Sequence, residues 1–304
     1  MRGGQGGARR DRGGSAVLLI TGPSGNVGSE LIALLEERHS HLPRRIGSRH
    51  PLPDRADHVH LDFADRSTWS SALSDVDALF LLFPLPGNKA ARERIIPFVK
   101  AAARAGCRHV VYISVFGADR LAFLPHFKVE QAIRASGMSW TVLRCSFFMQ
   151  NLHRVVSTHG VDIVERGELF IPAGYGRTTF LDARDASAVA LDALVHPDRH
   201  RDVVHHLTGG QTLDMHEVAA MLSTALDRRV HYTRPSSIRF AARLRRRGVG
   251  WDTIGFMAAV YTATRFGLNQ PITDDVQQLL GRKPMSLRRF LDDSAWRWRE
   301  RRWT

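Results

Sequence analysis

Residues 21 to 28 read Thr-Gly-Pro-Ser-Gly-Asn-Val-Gly. Glycines at 22, 25 and 28 have a chemical use when a buried strand precedes them and a helix follows. Gly22 permits a tight turn, Gly25 removes the side chain that would keep a phosphate from the backbone, and Gly28 lets the helix approach the strand. The unpaired N–H groups of the helix's first turn then face a phosphate, and the helix dipole favours its charge. In a strand–turn–helix setting this spacing points to a bound dinucleotide.

A second cluster bears on which dinucleotide. Residues 46 to 51 read Ile-Gly-Ser-Arg-His-Pro. Sites selective for NAD place Asp or Glu at the end of the second strand, where it holds the ribose 2′-hydroxyl. No carboxylate stands here. Ser48 and Arg49 suit a 2′-phosphate instead. The expectation is NADP(H), with NAD(H) and a merely solvated Arg49 as the alternatives. Further on, Asp62 and Phe63 suit an adenine: the carboxylate accepts from its amino group and the ring packs beside it. Core packing explains Phe63 equally well.

Hydrophobic patterning supplies the elements that must position these groups. Ala16–Thr21 is continuously apolar, as a parallel strand buried on both faces would be. Ser29–Arg38 carries Leu31, Ile32, Leu34 and Leu35 on one helical stripe. Strands follow at Arg44–Arg49, Val59–Leu61, Ala78–Phe83, Val110–Ser114 and Trp140–Arg144. Helices are expected at Ser67–Leu73, Arg92–Ala105 and Lys128–Ser136. This alternation predicts an α/β fold: a Rossmann-type, doubly wound parallel sheet. After Cys145 the pattern loosens. A helix is expected over Phe147–Val156, a short strand at Leu169–Ile171 and a glycine-rich loop at Ala173–Gly176. Asp182–Val195 predicts a helix capped by Asp182 or Asp185, and Val203–Leu207 a strand. The rest is mostly helical, with caps at Thr212, Asp214, Thr273, Asp274 and Ser286. The expected division is a disordered leader at 1–14 and a dinucleotide domain at 15–150, to which 182–207 return. A substrate lobe takes 151–181 and 208–304.

Composition narrows the classes. The 304 residues are 43% apolar, enough for a large core. No run of about 18 apolar residues occurs, so no membrane-spanning helix is expected. Cys107 and Cys145 form no CxxC pair and sit in apolar contexts, so neither a disulfide framework nor a metal site is implied, and a cytoplasmic setting fits. The net charge of +13 lies partly in the leader, and much of the rest in Arg228–Arg247 and Arg282–Arg302. It is scattered over amphipathic helices and lacks interleaved aromatics. Solvated helix faces therefore explain it better than nucleic-acid binding.

With these residues in place, the chain resembles the atypical short-chain dehydrogenase/reductases of the NmrA-like group. The resemblance spans roughly residues 15 to 300. It rests on TGPSGNVG, HLDFAD at His60–Asp65, DALFLLFP at Asp77–Pro84 and GCRHVVYISVFG at Gly106–Gly117. It rests also on RASGMSWTVLRCSFFMQ at Arg134–Gln150 and LTGGQTL at Leu207–Leu213. The segment Thr273–Phe290 looks like the C-terminal lobe of actinobacterial members and of ergot-alkaloid reductases. The resemblance implies cofactor contacts from Gly22, Ser24, Gly25, Asn26, Val27, Gly28, Ser48, Arg49, Asp62, Phe63, Leu82, Phe83, Pro84 and Ser114. It also implies backbone at Cys145, Ser146, Phe147 and Phe148 beside the nicotinamide ribose.

The wider superfamily uses a Tyr-xxx-Lys pair, in which the Lys lowers the Tyr pKa and the Tyr passes a proton. Here that pattern places either His126 after Ala122 or Lys128 after Leu124, and the Tyr is absent either way. His126 and Lys128 are the polar candidates at the nicotinamide end. His126 is expected to donate a proton near neutral pH without a large pKa shift. A hydrogen-bonded structural His, and a Lys that only holds the ribose, are the alternatives. Tyr175, Phe116 and Met149 are candidate substrate residues.

The function expected is an NADP(H)-dependent oxidoreductase acting on a small, largely apolar molecule, with natural products of secondary metabolism among the candidates. An enone or iminium can be reduced without a dedicated Tyr acid. A tailoring isomerase or dehydratase on the same scaffold, and a redox-sensing regulator that binds the dinucleotide without turnover, are the alternatives. Monomer and homodimer are both compatible with the resemblance.

Overall fold

The computed structural model describes residues 16–53, 55–84, 87–153, 159–268, 270, 272–295 and 298. The expected leader, and the end of the helix expected over Phe147–Val156, lie outside them.

Seven strands make one parallel sheet: β1 (Leu18–Thr21), β2 (Arg44–Ser48), β3 (His58–His60), β4 (Ala78–Leu82), β5 (His109–Val115), β6 (Ser139–Cys145) and β7 (Val203–Leu207). Their order is β7-β6-β5-β4-β1-β2-β3. The order reverses at β1, which pairs with both β2 and β4. A doubly wound sheet leaves its ligand crevice at that reversal, beyond the C-terminal ends of the strands.

Apolar strands this short must be covered on both faces. On one face lie α1 (Asn26–Arg38) and a later helix, α6 (Ala183–Val195), packed on Leu18, Ile20, Phe80, Val111 and Leu143. On the other lie α2 (Trp69–Leu73), α3 (Ile96–Arg104) and α4 (Pro125–Arg134), packed on Leu19, Leu79, Leu81, Tyr112 and Val142. Alternate residues of each strand therefore serve opposite faces. Ser187 of α6 donates to the Val27 carbonyl at 2.8 Å, which fixes α6 against the start of α1.

A second hydrophobic core, the second lobe, is built by α5 (His159–Arg166), α7 (Met215–Leu226), α8 (Ser237–Arg246), α9 (Trp251–Arg265) and α11 (Leu287–Ser294), whereas α10 (Asp275–Leu280) puts Val276 into the core of the sheet. Two of the expected caps form, Asp214 in a capping box with Glu217 and Ser286 on α11, whereas Thr212 lies in a short strand and Asp274 precedes α10 without a side-chain capping bond. The expected helix after Cys145 is a correction. Phe147–Phe148 pairs in parallel with Phe180–Leu181, and a 3-10 turn follows at Met149–Leu152. Two neighbouring phenylalanines favour extended backbone once a partner strand, Thr178–Leu181, is at hand.

Buried charge ties the lobes together. Asp182 caps α6, accepts from Gln150 Nε2 at 2.8 Å and holds Arg184, which reaches Asp293 of α11 at 2.9 Å. Most arginines of the 228–247 stretch are exposed, as expected, and two are not. Arg243 and Arg247 converge on the wholly buried Asp162 of α5, at 2.9 and 2.7 Å. A carboxylate buried there needs such counter-charges, so these cations are turned inward.

Candidate active site

The glycine turn is built as the spacing requires, though not for all the expected reasons. Gly22 adopts φ +67, the left-handed region that glycine enters without penalty. A Cβ on Gly28 would lie 2.1 Å from the Gly22 carbonyl oxygen, so helix and strand approach too closely for any side chain. A Cβ on Gly25 would meet that same oxygen and Leu82, both at 2.9 Å. Internal packing thus demands glycine there before any phosphate is considered. The Thr21 hydroxyl locks the end of β1 to β4, donating to the Phe80 carbonyl and accepting from the Leu82 N–H, each at 3.0 Å.

α1 begins at Gly25 with no side-chain cap and no acidic residue in its first turn. Its leading N–H groups are therefore open to an anion. At the end of β2, Arg49 is exposed and forms no ion pair with a described carboxylate. The nearby Asp57 is occupied by Arg44 and Arg55, at 3.0 and 2.9 Å. Ser48 Oγ lies 3.1 Å from His58 Nε2. Asp62 turns its carboxylate onto the Ala64 N–H at 2.8 Å. Phe63 packs edge-on to Phe98 at 4.9 Å and keeps a half-exposed ring. A phosphate cradle, an exposed Arg with no ion pair among the described residues, and a ring beside them fit NADP(H).

From this crevice a cleft of about 500 Å3 runs toward the second lobe. The wall on the sheet side includes Asn26, Leu82, Phe83, Ser114, Phe116 and Cys145 to Phe148; the facing wall comes from α9, through Phe256, Met257, Val260 and Tyr261. Asn26 Nδ2 donates to Asn151 Oδ1 at 3.2 Å, joining the glycine turn to the start of the lobe.

His126 lines the cleft at the first turn of α4 and is only 4% exposed. Its ring sits among Phe83, Tyr112 and Phe256, at 5.4, 6.2 and 5.3 Å between centroids. Burial in this aromatic cage pushes its pKa down to about 3. The expected proton donation near neutral pH is corrected accordingly: the imidazole is neutral there. Its Nδ1 is buried without a hydrogen-bond partner among the described residues.

The other candidates divide. Phe116 lines the cleft, 5.7 Å from the His206 ring. Lys128 does not; its Nζ donates to Asn88 Oδ1 at 2.7 Å. Met149 is buried in the core of the second lobe. Tyr175 is 70% exposed, with Arg234 over its ring at 4.6 Å, and belongs to a separate surface depression with Thr233 and Arg265. Pro84 is exposed. Cys145 is a free buried thiol, and burial pushes its pKa up.

Sequence reasoning missed three features. Tyr261 Oη lies 2.7 Å from Nε2 of the wholly buried His159. Glu130 and Arg144 form an interior ion pair at 2.7 Å beneath the cleft. The whole α9 wall was read only as helix. The stripe of Phe256, Met257, Val260 and Tyr261 was visible in the sequence, but nothing local says what it faces.

The profile of the NmrA-like family matches residues 15–291. The chain belongs to the NmrA-like family. Within reach of it is an uncharacterized oxidoreductase, YesF, of Bacillus subtilis (strain 168), 32% identical over 293 residues, covering 92% of this chain and 96% of that protein. An NAD(P)H azoreductase of Xenophilus azovorans is 34% identical over 224 residues, 71% of this chain and 76% of its own. Among solved structures, an NADPH-dependent quinone oxidoreductase of Escherichia coli complexed with NADPH superposes with a TM-score of 0.76 at 23% identity, over 91% of this chain and 99% of that one. That likeness bears on the fold. Among the described residues no helix is long and apolar enough to cross a membrane.

Proposed function

We propose that this NmrA-like protein is an NADP(H)-dependent oxidoreductase that reduces a small, largely apolar, conjugated acceptor. The observation that carries the reading is the continuity of the cleft. It starts at Asn26 of the glycine turn and ends on Phe256, Met257 and Tyr261 of the second lobe. A dinucleotide held at one end brings its reactive ring to an apolar chamber at the other. The names of the azoreductase and the quinone oxidoreductase support the same class of acceptor.

When bound, the reduced nicotinamide supplies a hydride. The chain's own residues do the rest. The first turn of α1 holds the phosphates, and Arg49 selects the 2′-phosphate. Phe116, Phe147, Phe256 and Met257 exclude water and hold a flat acceptor against the sheet-side wall. His126, neutral and desolvated, donates a hydrogen bond to a heteroatom on which negative charge develops, without needing to be an imidazolium. No Tyr acid is required where the developing charge is delocalised, as in an enone, quinone or azo compound, or where hydride only neutralises a cation, as in an iminium.

The test is a titration of the protein with NADPH and with NADH, on wild type and Arg49→Ala, followed by NADPH oxidation with quinones, enones and azo compounds. NADPH binding that weakens about tenfold in Arg49→Ala, the scale of one charged contact, with NADH binding unchanged, supports the reading. Binding of neither cofactor overturns it. Tight binding with no oxidation across the panel points to the redox-sensing alternative.

A further inference from the structure

Two hydroxyls on the sheet-side wall of the cleft have opposite hydrogen-bonding character. Ser114, near the end of β5, is 1% exposed and lies on the α4 face of the sheet, as Tyr112 does. Its hydroxyl donates to Glu130 Oε1 at 2.5 Å. The Glu130 oxygens also accept from Arg144 Nε at 3.2 Å and Nη2 at 2.7 Å. A carboxylate held by three donors has no hydrogen to give back. The Ser114 proton is therefore directed away from the cleft, and a ligand meets only its lone pairs.

Ser146, just past the end of β6, is the reverse. Its N–H is bonded to the Leu207 carbonyl at 2.9 Å. Its Oγ, screened from solvent, has no partner among the described residues. A buried hydroxyl left so is costly and calls for a partner. β5 and β6 are neighbours, with Ser114 opposite Arg144 and Val115 opposite Cys145, so the two serines stand at adjoining strand ends, and both line the cleft.

An acceptor beside an uncommitted donor is the complement of a primary carboxamide, which has N–H to give and a carbonyl oxygen to receive. The nicotinamide ring bears one such group. Resting on the NADP(H) reading above, we infer that Ser114 and Ser146 bind the nicotinamide carboxamide, Ser114 accepting from its N–H and Ser146 donating to its carbonyl. Turning the ring over would carry the carboxamide to the opposite edge of the ring, away from both serines, and leave both pairings unmade. The serines thus set which face of the ring is presented to α9. Glu130, held by Arg144, is the positioning residue that fixes the polarity of Ser114.

The test uses NADP+ and its 3-acetylpyridine analogue, in which a methyl group replaces the amide nitrogen while the carbonyl remains. Dissociation constants are measured by calorimetry on the full chain, for wild type, Ser114→Ala and Ser146→Ala. Binding of 2′,5′-ADP, which lacks the nicotinamide half, shows that each variant is folded. Wild type is expected to prefer NADP+ about fivefold, the scale of one hydrogen bond. In Ser114→Ala the two forms bind alike, with 2′,5′-ADP unaffected. In Ser146→Ala both forms weaken by a similar factor and the preference stays. Should Ser114→Ala lose 2′,5′-ADP binding, Ser114→Cys, closer in shape and a poorer acceptor, is read the same way. A preference that persists in the Ser114 variant while 2′,5′-ADP binds normally overturns the inference and leaves the NADP(H) reading standing. Failure of wild type to bind either NADP+ or 2′,5′-ADP overturns both.

Discussion

Arg144 Nη2 lies 2.7 Å from Glu130 Oε2 in the interior, and the same guanidinium reaches Asp119 at 3.0 Å. Burial works against the charge on Arg144, but Glu130 and Asp119 outweigh it and hold its pKa above the ordinary value. Removing one partner of such a pair strands the other charge in the core. Arg144→Met is expected to destabilise the fold by about 3–5 kcal/mol, read as a lowered midpoint of urea denaturation. A variant as stable as wild type would refute the buried pairing.

Stability should fall on acidification from near neutrality. Burial lowers the pKa of His126 and His159 to about 3, with Arg247 adding to the effect at His159, and that of His109 to about 4. In the unfolded chain each titrates near the ordinary value of about 6.5. Between those values the unfolded state binds more protons, so stability is full above about pH 6.5 and is lost as pH falls toward 3. The slope is about 1.4 kcal/mol per pH unit for each histidine. His126→Phe, which suits the aromatic cage, should flatten it by one histidine's share. Denaturation at pH 7 and pH 5 measures this, and an unchanged slope contradicts the burial of His126.

Gly28→Ala should be among the costliest small changes in the chain. Its Cβ would lie 2.1 Å from a backbone oxygen, which cannot swing aside as a flexible side chain can. Overpacking of this kind costs about 1–3 kcal/mol. The displaced turn should also lose NADPH, seen by titration at a temperature where the variant remains folded. Normal NADPH binding by Gly28→Ala would mean that the turn does not hold the phosphates.

Phe256→Ala separates the roles of the two lobes. The ring belongs to α9, faces His126 and is remote in sequence from the glycine turn. Loss of one aromatic face of the cleft wall should raise KM for an apolar acceptor about tenfold, with the NADPH dissociation constant unchanged. Equal effects on both would place the ring against the cofactor.

The parts of this molecule that were legible in sequence are those with local causes. β1, β4 and β6 announce themselves as apolar runs, α1 as a stripe behind three glycines, and α7 and α11 through Asp214 and Ser286. What was missed depends on partners distant in the chain. Phe147–Phe148 is extended because Phe180–Leu181 lies beside it, and nothing near residue 147 records that. His126 was expected to titrate near neutrality because the ring that helps to bury it, Phe256, arrives from α9. Tyr175 sits in a glycine-rich loop, as a substrate residue often does, yet Arg234 stacks over its ring at another surface. Ser114 was found by its position on β5, but its hydrogen-bonding character came only with Glu130 and Arg144.

β7 completes the sheet by pairing Val203–Leu207 with Thr141–Cys145, and the start of the second lobe is threaded between the two strands. A growing chain therefore holds β6 with one edge bare until most of the protein has been synthesised. Parallel pairings between segments so far apart form slowly, and a bare apolar strand edge recruits other strands in the meantime. Soluble yield on expression is therefore expected to depend on how long Ser139–Cys145 waits for its last neighbour, a property of the nascent chain that the finished surface does not display.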